Sequence, residues 1–98
     1  MSMRVISPKM LHEFWGVHPS ARGPLTNWRR ITAKAEWRSF EDVKKSFGTA
    51  DRYKQFTIFD IGGNKYRLIA AIHYNTGCVY IRHVLTHAEY TRGRWKKE

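Results

Sequence analysis

Hydrophobic positions along this chain change period once, near its middle. Met10, Leu11, Phe14 and Trp15 recur at helical spacing, as do Leu25, Trp28, Thr32 and Ala35. Phe40, Val43 and Phe47 give a shorter helical face that ends at Gly48. From Phe56 the signal changes: Phe56-Thr57-Ile58-Phe59-Asp60-Ile61 is rich in aromatic and β-branched residues and predicts a strand. Gly62-Gly63-Asn64 tolerates positive φ and predicts a hairpin into a returning strand from Lys65 to Tyr74. Asn75-Thr76-Gly77 is a second turn, followed by a third strand from Cys78 to Leu85.

Local punctuation sharpens the helices. Ser7-Pro8 reads as an N-cap with Pro at the first helical position, so a first helix runs from Pro8 to Gly16. The stretch from His18 to Pro24 reads as a breaker-rich connection. Ser39-Phe40-Glu41-Asp42 has capping-box form with a short acid, and Thr86-His87-Ala88-Glu89 is a full capping box that opens a final short helix or turn. With Met3-Arg4-Val5-Ile6 as an opening strand, the fold class is α+β. One domain spans 1–98, with the N-terminal strand and helices packed on one face of an antiparallel-meander sheet. The other sheet face is left free to bind a ligand.

Composition narrows the function classes. The 98 residues suit one modest core, and at 42% hydrophobic and 14% aromatic the chain is not disordered as a whole. No apolar run approaches the roughly 18 residues of a membrane span, and Met1 to Ser7 lacks an apolar signal region. Cys78 is alone, which fits a reducing, cytoplasmic setting, and no Cys pair or close His pair offers a zinc site. Neither metal nor cofactor is called for. The formal net charge of +10 favours an anionic partner, nucleic acid first and an acidic protein second. Arg92, Arg94, Lys96 and Lys97 form a local basic cluster, which reads equally well as a binding patch or as a solvated, frayed terminus.

Metal-free RNA cleavage needs groups that orient phosphate, activate the 2′-hydroxyl, stabilise transition-state charge and protonate the leaving oxygen. Arg, His and a perturbed Tyr suit these tasks. The second half holds such a set: Arg67, His73, Arg82, His83, His87, Tyr90, Arg92 and Arg94. On the strand from Lys65 to Tyr74, Tyr66, Leu68, Ala70 and Ile72 share the core face, so Arg67 emerges on the open face. Strict alternation sends Arg82 and His83 to opposite sides, which excludes a site using both. An i, i+3 spacing puts His87 and Tyr90 on one helical face, beside cap N–H groups able to hold phosphate. His73 reads more simply as structural or surface, and Tyr66, Tyr74 and Tyr80 as sheet residues.

The segment Phe59-Asp60-Ile61-Gly62-Gly63-Asn64-Lys65-Tyr66-Arg67-Leu68-Ile69 resembles the signature of HigB-type toxins of the RelE-like superfamily. Val79-Tyr80-Ile81-Arg82 followed by Val84-Leu85-Thr86-His87-Ala88-Glu89-Tyr90 resembles that family's closing motif, and Ala35-Glu36-Trp37 with Ser39-Phe40 also fits. The resemblance implies a RelE-like fold and an mRNA-cleaving toxin of a type II toxin–antitoxin system, commonly acting on the ribosome. It also implies silencing by an antitoxin, here of the helix-turn-helix HigA kind with an acidic surface. Carried over by motif, Arg67 is the phosphate-binding arginine, and His87 and Tyr90 are the late basic and tyrosine positions. Lys65, Arg82, Arg92 and Arg94 become candidate RNA contacts. The strand lysines of RelE itself have no counterpart between Gln55 and Ile61, and the resemblance implies that His87 takes that role. Two other classes fit the residues: a non-catalytic RNA-binding module, and an inactive toxin-like regulator that only binds an antitoxin.

Overall fold

A computed structural model describes residues 2–97. The elements in chain order are β1 (Arg4–Ile6), α1 (Lys9–Val17), a 3-10 turn (Pro19–Ala21), α2 (Arg22–Lys34), α3 (Phe40–Ser46), β2 (Asp51–Tyr53), β3 (Phe56–Ile61), β4 (Tyr66–His73), β5 (Cys78–Thr86), α4 (His87–Arg92) and a 3-10 turn (Arg94–Lys97). The strands form one sheet in the order β1-β5-β4-β3-β2. β1 runs parallel to β5, and every other pairing is antiparallel. The sheet is therefore mixed: an antiparallel meander with one parallel edge strand.

Helices and strands fall where the periodicity puts them, with instructive differences at the ends. Ser7 lies at φ 69° and is no cap; Pro8 takes the cap position of α1. α2 begins at Arg22, inside the stretch read as a connection. Pro24 sits in its first turn, where a missing N–H breaks no helical bond. β2 had no apolar signal to announce it. Asp51 and Arg52 are exposed on this short edge strand, as suits an edge that must not recruit another chain.

Alternation divides the sheet into two faces. On the helix side, Phe59, Ile61, Leu68, Ala70, Val79 and Ile81 pack with Leu11, Leu25, Trp28, Trp37 and Val43. Phe59 is the centre of an aromatic cluster: Trp28 and Phe47 meet it edge-on at 5.4 and 5.2 Å, and Trp37 stacks on it at 6.1 Å. Packing these four rings together contributes area and about 0.5–1.5 kcal/mol per ring pair beyond it.

The opposite face was expected to be free, and it is not. Phe56, Ile58 and Ile69 form a second core with Trp95, flanked by Tyr53, Leu85 and Tyr90. Ile69 is fully buried, and Trp95 is only 3% exposed. The cover comes from the C-terminal basic segment itself. Gly93, at φ 75°, ends α4 in a left-handed turn that sends Trp95 back across the sheet. Arg94, Lys96 and Lys97 therefore belong to a packed 3-10 turn, and Arg92 to the end of α4, rather than to a frayed tail. Burial on both faces also explains why β3 and β4 read as nearly continuous apolar runs.

Trp95 is the keystone of this second core. Trp95→Ala should lower the free energy of unfolding by about 3 kcal/mol, the range for large buried aromatics. Urea unfolding measures it, and a loss below about 1 kcal/mol would show that the second core contributes little.

Candidate active site on the open sheet face

Arg67 lies on the open face, as alternation requires, but it is not an open side chain. Asp60 is its direct cross-strand partner, and Asp60 Oδ1 meets Arg67 Nε at 3.1 Å. Arg67 Nη1 donates to the Tyr66 carbonyl at 3.1 Å, and Nη2 donates to Asn64 Oδ1. The Tyr90 ring lies 5.1 Å from the guanidinium carbon. The residue is 8% exposed. A buried guanidinium persists only when its N–H groups are paired, and the Gly62-Gly63 turn allows this by bringing Asn64 back over Arg67. Those three bonds leave one N–H on each Nη, a fork aimed by its partners.

The final helix is tied to the same spot. The Thr86 hydroxyl accepts from the Glu89 N–H at 3.2 Å, and Glu89 Oε1 accepts from the Thr86 N–H at 2.9 Å, completing the capping box. The His87 N–H donates to the Lys65 carbonyl at 2.9 Å. The Thr86, His87 and Glu89 N–H groups are thus already engaged, and a carboxylate sits at the helix start. Three of the N–H groups expected to cradle a phosphate are therefore already taken. Tyr90 is half-buried, stacks on Trp95 at 5.5 Å, and accepts at its carbonyl from Trp95 Nε1. His87 and Lys65 are exposed. Arg67, Tyr90, His87 and Lys65 therefore meet at one end of the sheet.

β5 corrects the reading of Arg82 and His83. His83 pairs with Ile69, yet the next pair is Ile81 with Ala70, so the register shifts by one residue at this step. Inward positions run Val79, Ile81 and then Val84. Arg82 is the extra residue of a bulge, and both Arg82 and His83 turn to the open face. They line different recesses. His83, Leu85, Glu89, Arg92, Arg94 and Trp95 surround about 190 Å³ beside α4. Arg82, Gln55, Phe56, Ala71, Ile72 and His73 surround about 460 Å³ further along the sheet. Trp95 stands between them: it lines the smaller recess, and its ring meets Phe56 of the larger at 6.2 Å. Arg92 and Arg94 thus join the α4 end, and Arg82 stands apart from Arg67.

Sequence reasoning missed Asp60, Asn64 and Trp95 as parts of this face, and missed that Arg82 and His83 share it. Asp60 stood in view, since it is the one acid of β3 and the hairpin sets it across from Arg67. The bulge left no such signal. Among the described residues, no group of three or more His, Cys, Asp or Glu converges as a metal site would require.

With that geometry in hand, comparison with known proteins is informative. Residues 21–93 match the family model of the HigB toxin, the RelE-like toxic component of a toxin–antitoxin system. The chain is similar to the mRNA interferase toxin HigB of Escherichia coli (strain K12), at 30% identity over 91 residues covering 90% of this chain and 88% of that protein. The mRNA interferase HigB of Shigella flexneri matches with the same identity and coverage. That of Escherichia coli O6:H1 is 26% identical over 93 residues, covering 92% of this chain and 90% of the relative.

The capping box makes the α4 end sensitive to acid. The Thr86 N–H holds the Glu89 carboxyl below the ordinary glutamate range, with the Thr86 side chain, Arg92 and His18 adding to this and burial opposing it. A depressed carboxylate contributes stability that is fully present above its unfolded pKa and lost as pH falls through the lower folded value. Glu89→Gln keeps a capping amide but cannot titrate. Wild type should melt above this variant at neutral pH, and the gap should close as pH drops through the carboxylate range. A gap unchanged between pH 7 and pH 3 would remove Glu89 from the acid response.

Proposed function

The chain belongs to the HigB family of RelE-like toxins, and on that premise we propose that it is an mRNA interferase. In this reading it is a metal-independent endoribonuclease that cleaves mRNA on the ribosome and inhibits translation. It works in the cytoplasm, where that substrate is found, and needs no cofactor. The observation that carries the reading is the meeting of Arg67 with Tyr90 at 5.1 Å, beside a helix start pinned to Lys65. Residues far apart in sequence converge there into the set that phosphodiester cleavage requires.

Arg67 presents its remaining fork to the scissile phosphate, because Asp60 and Asn64 hold the guanidinium in one orientation. His87, exposed and on the same helix, is the acid or base. Tyr90 positions the nucleotide or shares the proton transfer, its ring held between neighbouring cationic and indole groups. Attack by the 2′-oxygen on phosphorus, with departure of the 5′-oxygen, gives a 2′,3′-cyclic phosphate and a 5′-hydroxyl. Lys65, Arg92 and Arg94 contact flanking phosphates at this end, and Arg82 does so further along. The partner that silences the toxin is a HigA-like helix-turn-helix antitoxin offering acidic side chains to the +10 surface.

Cleavage of ribosome-bound mRNA tests the assignment. His87→Gln and Tyr90→Phe should each slow it by about 10²–10⁴-fold, the usual contribution of acid–base groups, with unchanged melting temperatures. Wild-type rates in both would remove them from the mechanism. Arg67→Ala should lose both rate and stability, because it strips Asp60 of its partner. Arg67→Lys should keep the fold yet recover little of the rate, since an ammonium has no fork. A wild type that shifts RNA in a gel without cutting it would support the non-catalytic binder instead.

Antitoxin capture should be steered by charge. Its association rate should fall steeply as salt rises while dissociation changes less. An on-rate indifferent to salt in stopped-flow would discard electrostatic steering.

A further inference from the structure

The larger recess lies at the end of the open face away from α4, and of its lining the proposed function engages only Arg82, as a phosphate contact. Its walls combine one arginine and hydrogen-bonding side chains with an apolar floor. Arg82, His73 and Gln55 are exposed, and Phe56 and Ala71 are buried beneath them. Tyr80 is the cross-strand partner of Ala71 on the same face, and its ring meets the His73 ring at 4.8 Å with an interplanar angle of 63°. The volume of about 460 Å³ falls within the roughly 300–1,000 Å³ typical of small-ligand sites.

Position relative to the first site gives the recess its meaning. Arg67 and His73 lie about 20 Å apart along β4, at roughly 3.3 Å per residue. Arg82 falls between them, because the bulge sets it against the Ile69–Ala70 step. Arg67, Arg82 and His73 therefore follow one line along the open face. Arginines at intervals along a sheet, with the exposed His73 ring and the half-buried Tyr80 ring beside them, suit an unpaired RNA strand: charge for its phosphates and ring faces for its bases. Strict alternation would have turned Arg82 or His83 into the helix-side core. The bulge instead adds a cation to this line.

We propose that this recess is a second nucleotide subsite for single-stranded RNA, with the base stacked on the His73–Tyr80 pair and its phosphate on Arg82. The proposal rests on the RNA-cleaving reading above and extends it along the sheet. An acidic polypeptide would engage Arg82 but has no use for the paired rings, so the aromatic wall favours a nucleotide. Gln55 at the rim supplies an amide for a base edge.

The test uses the whole chain and fluorescent 2′-O-methyl RNA oligomers, which lack the attacking hydroxyl, in lengths from two to eight nucleotides. Anisotropy should show affinity rising in a step once an oligomer spans from the Arg67 end to the recess. In Tyr80→Ala and His73→Ala the step should shrink about tenfold, the scale of one lost base–aromatic stack. Tyr80→Phe keeps the ring and should restore it. Arg82→Gln, at an exposed position, should also lose the step and should weaken its salt dependence. The proposal is overturned if affinity shows no length step, if these variants keep it, or if they lose short and long oligomers equally. Binding of polyglutamate that needs Arg82 but not Tyr80, with no RNA step, would assign the recess to an acidic protein and overturn it as well. Parallel cleavage assays separate the two readings. Cleavage without a Tyr80-dependent step sinks the subsite alone, and a Tyr80-dependent step without cleavage sinks the nuclease alone.

Discussion

The ion pair between Asp60 and Arg67 is the constraint around which the open face is arranged. A guanidinium in a nearly closed setting demands an acceptor for each N–H it cannot give to water. The hairpin supplies them: Asp60 from one strand, the Tyr66 carbonyl from the other, and Asn64 from the turn between. Once held, the cation offers a flat positive surface to the Tyr90 ring. The last helix is therefore docked by its aromatic side chain and by the bond from the His87 N–H to the Lys65 carbonyl. The proposed phosphate-binding role and the fold-supporting one coincide in one side chain.

Packing on the two faces serves different ends. The helix side is a conventional core, where Phe59 collects the rings of Trp28, Trp37 and Phe47. The open side is covered along its middle by Trp95, with Tyr53 and Tyr90 beside it, and recesses lie next to that cover. A chain of this size has little interior to spare. Using the last turn as cover buries the centre of the sheet while keeping its basic margins in solvent.

Much of the architecture was legible because local and tertiary signals agree. The hairpin at Gly62-Gly63, the cap at Thr86 and the helical stripes of α1 and α2 each follow from side-chain chemistry within a few residues. What escaped depended on distant partners. β2 is three polar or half-buried residues whose strand character comes only from pairing with β3. The cover by Trp95 depends on a left-handed turn at Gly93 and on a contact between elements far apart in sequence. The approach of Tyr90 to Arg67 was readable from strand faces and the closing cap. The burial of Arg67 was not, because nothing in its own strand shows how much cover it receives.

The irregularity in β5 acts as a phase shift. Before it, odd-numbered residues face the helices; after it, even-numbered ones do, so Thr86 faces the same way as Val84 and Val79. Flattening the bulge with every residue kept would restore plain alternation at the cost of rotating everything downstream by half a turn. Val84 would swing outward, and Thr86 would leave the orientation from which it caps α4. One extra residue in the strand therefore sets the angle at which the last helix departs, and homologues aligned across this point must be matched by phase as well as by identity.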